Sequence, residues 1–263
     1  MHRDPILRDG CRLAWTVRGS GPPVLLIQGA GVHGSGWNPQ TDDLASRFSC
    51  LTFDNRGIGA SLPSNTSLSI EQMADDALSL MDAEGWQSAH IVGHSMGGLI
   101  ALELALRAPA RVRSLALLCT FARGSIATRV TPFMLWTGLR TRVGTRAMRR
   151  RAFLELVMPP GITADPQKIA AIFGHDLADQ PPIVMQQLAA IRKHDVTTRL
   201  QELAAIPTLV VSAAHDRIAP PAAGRAIAAG IPGSRYIEIA GAAHGVTIQK
   251  AAEINALLIA HFI

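Results

Sequence analysis

Ser95 stands in Gly93-His94-Ser95-Met96-Gly97, directly after the apolar run Ala89 to Val92. Glycines on both sides of a serine at a strand-to-helix junction make a nucleophile elbow. The turn is so tight that side chains are excluded beside the serine. The helix that follows aims free N–H groups where an anion would form. A serine hydroxyl is a weak nucleophile at neutral pH, so it needs a base and an acid that orients that base. The chain has nine histidines. His244 follows the last apolar strand, in Ala240-Gly241-Ala242-Ala243-His244-Gly245. Asp216 follows the preceding strand, in Ala214-His215-Asp216-Arg217-Ile218. Ser95, Asp216, His244 is one of the known chain orders of a Ser-His-Asp triad. The anion also needs backbone donors, each worth about 3 kcal/mol. Met96 N–H and Ala30 N–H are the candidates, the second from Gln28-Gly29-Ala30-Gly31. Gln28, Gly29 and His94 are expected to line the substrate site. Each triad residue has a plainer reading: a turn serine, a helix-capping aspartate, a surface histidine. Three strand ends in one order make those plainer readings poor together.

The elements that must hold these residues alternate. Strands are expected at 12–17, 23–27, 50–53, 89–92, 112–119, 208–213 and 235–239. Helices are expected at 37–48, 70–84, 96–107, 221–229 and 247–262. The 70–84 helix has the clearest signals. Ile70, Met73, Ala74, Ala77, Leu78 and Met81 form one apolar stripe, with Ser69 and Gln72 at its start and Gly85 at its end. Continuous apolar strands suit burial on both faces of a parallel sheet. Residues 122–200 break the alternation with helical segments interrupted by Pro159-Pro160-Gly161 and Pro181-Pro182. The expected organisation is an α/β core of 1–121 and 201–263 with a helical cap of 122–200. Ligands of such sheets bind beyond the carboxyl ends of the strands, which here means loops 28–36, 93–98, 214–220 and 240–245.

The bulk composition sets limits. The chain has 263 residues, 48% hydrophobic and 17% charged, which describes a globular protein. No apolar run approaches the ~18 residues of a membrane span, and no apolar leader follows Met1, so a cytoplasmic location is expected. Cys11, Cys50 and Cys119 have neither disulfide nor metal spacing and are expected to be buried. No metal or organic cofactor is required. The net charge is +5, but its distribution is uneven. Arg123, Arg129, Arg140, Arg142, Arg146, Arg149, Arg150 and Arg151 fall between 122 and 154 with no Asp or Glu among them, leaving the remainder net negative. That run has three readings. It is a solvated face, or an attraction to anionic lipid aided by Phe133, Leu135 and Trp136, or a site for a substrate carboxylate. No nucleic-acid motif accompanies it. Nothing in the sequence signals an oligomeric state.

Another loop, Asp54-Asn55-Arg56-Gly57-Ile58-Gly59-Ala60-Ser61, fits D-x-R-G-x-G-x-S at every fixed position. With the elbow, and with Trp37, Pro39 and Gln40, it makes the chain resemble the α/β-hydrolase superfamily with a helical cap, nearly end to end. The resemblance implies a mostly parallel eight-stranded sheet flanked by helices and an esterase-like or enol-lactonase-like serine hydrolase. A carboxylate-bearing lactone is the alternative substrate; lipase, C–C hydrolase and cofactor-free perhydrolase chemistry on the same triad are further ones. Many members have His-Gly where this chain has Gln28-Gly29. Two readings lie outside hydrolysis. One is a binding protein that uses the pocket as a receptor. The other rests on Gly29-Ala30-Gly31-Val32-His33-Gly34, a literal G-x-G-x-x-G with Asp54 about 20 residues on, as in a nicotinamide oxidoreductase. That fingerprint needs a helix opening within the glycines, and Ser35, Gly36 and Pro39 delay one. The expected activity is cleavage of a small carboxylic ester or lactone through an acyl-enzyme.

Overall fold

Short apolar runs that cannot satisfy their backbone groups alone pair side by side into one seven-stranded sheet. A computed structural model of the chain describes residues 2–62, 68–126, 128, 131–159, 170, 172–174, 176–179 and 181–263. In chain order the strands of the large sheet are β3 (Trp15–Arg18), β4 (Pro23–Ile27), β5 (Ser49–Phe53), β6 (Ala89–His94), β7 (Val112–Leu118), β8 (Thr208–Ala213) and β9 (Arg235–Ile239). They lie in the order β3-β5-β4-β6-β7-β8-β9. Only the β3–β5 pair is antiparallel.

The expected eighth strand does not join this sheet. β1 (Ile6–Arg8) and β2 (Cys11–Leu13) form a separate ribbon. Asp9 and Gly10, at φ 44° and 75°, make the two-residue turn that closes it. The expected 12–17 strand breaks at Ala14. Ser61 Oγ takes the Ala14 N–H at 2.9 Å, and the Ala14 carbonyl accepts from Asp54 N at 3.1 Å. With both backbone groups engaged by another loop, Ala14 leaves the ladder and the chain changes sheets.

Helices cover both faces. Alternation along the strands sorts side chains between two cores. Leu25, Ile27, Ile91, Leu115 and Leu117 face α2 (Ile70–Ala83), α3 (Met96–Arg107) and α7 (Pro221–Gly230). Val24, Leu26, Val92, Ala116 and Leu118 face α1 (Asn38–Leu44) and α9 (Ala251–Phe262). Ser69 caps α2 as its spacing predicts, with Oγ accepting the Gln72 N–H at 3.1 Å. Gly85 ends that turn at φ 69°. The expected 247–262 helix is two helices, α8 (Val246–Gln249) and α9, divided at Lys250. The expected 37–48 helix stops at Leu44.

Between β7 and β8 the chain leaves the sheet. Its described helices are α4 (Pro132–Arg140), α5 (Arg146–Val157) and α6 (Val184–Lys193). The end of α5, at Val157, joins Met158, Phe173 and Leu177 in a small cluster, which packs on Val32, Ile218 and Ile248. Those three belong to loops and a helix just past strand ends. The insertion therefore sits over the carboxyl ends of the strands. Pro160 and Gly161, where a break was expected, lie outside the described residues, as does Arg129.

Five of the seven remaining arginines meet carboxylates that come later in the chain, while Arg142 reaches the Met185 sulfur. Arg140 and Arg151 share Glu155, Arg146 and Arg150 share Asp176, and Arg123 pairs with Asp195. Arg150, with the Ala178 N–H and Arg146, holds the Asp176 carboxyl well below the usual range. Most of the run is thus neutralised at the surface. Leu135 and Trp136 remain exposed on α4, while Phe133 lies against Arg217, whose guanidinium stands 4.3 Å from the ring centre.

Candidate active site

β6 ends and α3 begins at one residue. Ser95 sits between them at φ 56°, ψ −121°, outside the regions that a side chain ordinarily permits. The neighbouring glycines make that turn possible. A Cβ at Gly93 would strike the Gly97 carbonyl, one at Gly97 the Ile27 carbonyl, and one at Gly98 the Thr120 side chain. The strain is held by a bond from Ser95 N to the Leu118 carbonyl at 3.0 Å and by Thr120 Oγ1, which donates to the Ser95 carbonyl at 2.6 Å. Thr120 carries no sequence signal of this role, because the contact joins the ends of two neighbouring strands.

The three residues read from the sequence converge. His244 Nε2 lies 2.9 Å from Ser95 Oγ, and His244 Nδ1 lies 2.7 Å from Asp216 Oδ2. The other carboxylate oxygen, Asp216 Oδ1, accepts from Ile218 N and Ala219 N, each at 2.8 Å. Asp216 and His244 are buried, and Ser95 is partly open to the cavity. A buried carboxylate with its lone pairs filled in this way is fixed, and it favours the Nδ1–H tautomer, which leaves Nε2 as an acceptor for the serine proton.

His94 lines the same cavity from beneath. Its Nε2–H donates to the His244 carbonyl at 2.9 Å and so anchors the loop that bears the imidazole. Burial, then the neighbouring His244, pushes its pKa down to about 3, which keeps it neutral. Cys119, at φ 46°, lies beside Asp216. Its thiol is buried and pushed up, by burial first and then by Asp216.

The loop after β4 engages some of its amides and leaves others free. Gly29 N–H donates to Gln28 Oε1 at 2.9 Å, and Gly31 N–H donates to Gln187 Oε1 at 2.9 Å. Among the described residues the Ala30 N–H, between them, and the Met96 N–H, first in α3, donate to nothing. A Cβ at Gly29 would stand 3.1 Å from Ser95 Cβ, so this loop lies directly against the serine. Gln28, which stands where many α/β-hydrolases have histidine, folds back to hold its own loop. The Asp54–Ser61 stretch braces it from outside. Asn55 Nδ2 donates to the Gln28 carbonyl at 2.9 Å, and Asp54 accepts from Gly34 N at 2.7 Å and Ala60 N at 2.9 Å. Arg56 and Asp76 form a fully buried, two-pronged ion pair at 2.6 and 2.7 Å. Asp54 is therefore committed to backbone amides, and the glycines lead into a single 3₁₀ turn, Gly34–Trp37, before α1 opens at Asn38, an arrangement that does not match the dinucleotide fingerprint.

Ser95 opens into a cavity of about 210 Å³. Away from Gln28, His94, Ser95, His244 and Thr247, its wall is apolar. The core supplies Phe121, Ile218 and Ile248, and the insertion supplies Phe153, Phe173, Val184, Leu188 and Ile191 among others. Val184, Leu188 and Ile191 are spaced to share one face of α6, a stripe legible in sequence but indistinguishable there from an ordinary core face. No arginine or lysine lines the cavity among the described residues.

A family model for the alpha/beta hydrolase fold matches residues 22–251. The chain belongs to that family. It is 31% identical over 251 residues to a protein of Azorhizobium caulinodans that bears, provisionally, the name carbamate hydrolase RutD; the match covers 94% of this chain and 93% of that one. It superposes on the enol-lactonase from Burkholderia xenovorans with a TM-score of 0.81 at 28% identity, covering 99% of each. It also superposes, with a TM-score of 0.83 at 25% identity and 99% coverage of each, on a protein described as an N-acyl homoserine lactone degrading enzyme. No helix among the described residues of this α/β-hydrolase is long and apolar enough to cross a membrane.

Proposed function

We propose that this α/β-hydrolase cleaves neutral carboxylic esters, open-chain or cyclic, through an acyl-enzyme. The reading rests on the continuous chain of hydrogen bonds from Ser95 through His244 to Asp216. His244 Nε2 takes the Ser95 Oγ proton as the oxygen attacks the substrate carbonyl. The Ala30 and Met96 N–H groups hold the resulting oxyanion, each being unengaged and close to the serine. His244 returns its proton to the leaving alkoxide, and the acyl group stays on Ser95. Water then gives its proton to His244 and attacks the acyl carbon, releasing the acid and restoring the serine. Asp216 holds the imidazole and stabilises its cation. In this reading residues 1–121 and 201–263 form the catalytic core and 122–200 the cap that shapes the cavity.

Neutral substrates are favoured by the cavity wall. An anionic carboxylate drawn into it would lose its water with no cation to meet it, which costs several kcal/mol. This argues against a carboxylate-bearing lactone, which the arginine run left open. The reading is tested with p-nitrophenyl butyrate, a neutral lactone and a neutral carbamate, each on wild type and Ser95→Ala. Wild type should turn over the ester, and Ser95→Ala should lose about 10⁴-fold or more of kcat without loss of folding. Equal turnover by both proteins would overturn the reading. Ligand retention without turnover would favour the receptor.

A further inference from the structure

We propose that Gln187 is a positioning residue through which the insertion sets the geometry of the oxyanion loop; the inference rests on the hydrolytic reading above. Gln187 lies on α6, 156 residues from Gly31 in sequence, and its Oε1 accepts the Gly31 N–H at 2.9 Å. The side chain is 0% exposed. Its orientation is fixed by chemistry, because an amide N–H must meet the oxygen rather than the NH₂ end. Nε2 is consequently turned elsewhere, and it is buried without a partner. Leaving a buried donor unmet is unfavourable. A hydrophobic side chain would avoid that, so what this site gains from glutamine is the acceptor at Gly31.

That acceptor matters because of what lies beside it. Gly31 is at φ 74°, and its amide is turned to α6 rather than toward Ser95. With Gly29 N–H held by Gln28 Oε1, the two bonds pin the backbone on either side of Ala30. The Ala30 amide is then the unengaged donor that remains. Two further bonds join this loop to the insertion: His33 N donates to the Phe173 carbonyl at 3.3 Å, and Ser35 Oγ to the Ile172 carbonyl at 3.1 Å. These lie farther along the loop and do not fix Ala30. Val184 and Ile191, one helical turn to either side of Gln187, line the cavity, as does its neighbour Leu188. An acyl chain that displaces α6 therefore moves the acceptor that holds the oxyanion loop. Substrate fit in the insertion and donor placement in the core are linked through one side chain.

The test compares Gln187→Met, similar in volume but without the amide, with Gln187→Asn, which keeps the amide one methylene short of Gly31. Three readings are taken: the Tm, steady-state kinetics on p-nitrophenyl butyrate, and the rate of Ser95 phosphonylation by an alkyl fluorophosphonate. Phosphonylation develops charge on the phosphoryl oxygen and draws on the same donors. Each variant should lose about ten-fold in kcat and in phosphonylation rate, below the 10²–10³ of losing a donor outright, with KM within two-fold. A merely structural role would lower Tm and leave the rates of the folded fraction unchanged. Wild-type rates in the folded fraction of either variant overturn the inference alone. If wild type itself shows no Ser95 labelling, the hydrolytic reading falls and this inference with it.

Discussion

The sheet end and the insertion hold their residues by different means. At the sheet end, position is set by backbone: glycines in contact with carbonyls, a strained serine, and strand-end amides bound to a buried carboxylate. In the insertion, the wall that faces the cavity is set by side chains, with an apolar cluster and exposed ion pairs around it; backbone contacts of the core's kind occur where it is anchored, as at Gly124 against the Ile191 carbonyl and where Gly245 N donates to the Val157 carbonyl. Backbone contacts tolerate almost no change, since adding one methyl there displaces main chain. Side-chain contacts can be exchanged one at a time. The fixed part carries the groups that would do chemistry, and the exchangeable part carries the wall that would choose the substrate.

If that contrast is right, the largest effect comes from a change in the core that leaves its shape alone. Asp216→Asn keeps the acceptor for Ile218 and Ala219 but favours the wrong imidazole tautomer. It should cut kcat about 10⁴-fold with Tm nearly unchanged, as measured by ester hydrolysis and calorimetry. Next, Gly97→Ala should cost about 3 kcal/mol in urea unfolding, because the new methyl meets the Ile27 carbonyl. A matching change in the insertion should behave in the opposite way. Leu188→Trp should shift preference from long to short acyl chains by about ten-fold, with a stability change under about 1 kcal/mol. Equal loss of stability at both sites would erase the distinction.

Acid and base should also separate the regions. Burial, with Arg113 and His261 beside it, brings His90 down to about 4, and burial with His244 brings His94 to about 3. The unfolded chain takes up those protons near pH 6.5. Stability from these core groups is therefore lost as pH falls from 6.5 toward 4, by up to about 1.4 kcal/mol per pH unit for each histidine. His194, at the end of α6, faces Glu71 of α2 at 3.1 Å and Glu103 of α3 at 3.3 Å. Burial opposes its charge, but the two carboxylates outweigh burial and raise its pKa. Its contribution is complete below pH 6.5 and is lost as pH rises through the raised value. Tm against pH should fall on both sides, with His194→Gln flattening the alkaline limb and His90→Asn the acid one. The smallest effect belongs to the exposed pairs: Arg151→Ala should change stability by less than about 0.5 kcal/mol.

Much of this was legible in the sequence because the core is local in its demands. Gly93 and Gly97 bracket Ser95 within five positions, and Asp216 follows an apolar run that reads as a buried strand, while His244 follows the shorter edge strand Arg235–Ile239. The break at Ala14 was not legible, since it depends on Ser61, a residue from another loop. Alternation through 12–17 looks continuous until that hydroxyl is in place. The arginine run left three readings open for the same reason: its carboxylate partners, Glu155, Asp176 and Asp195, all lie beyond it. Gln187 was hidden most completely. Its neighbours share the periodicity of any buried helix face, and only the tertiary structure brings it to Gly31.

The most direct test of the central claim is to mix the protein with excess p-nitrophenyl butyrate, quench within one turnover, and map the added mass by peptide analysis. The account predicts a burst approaching one p-nitrophenol per chain and a single butyryl group on the peptide that bears Ser95, absent in Ser95→Ala. Turnover with no acyl group on that peptide, or with the group on another residue, would contradict it.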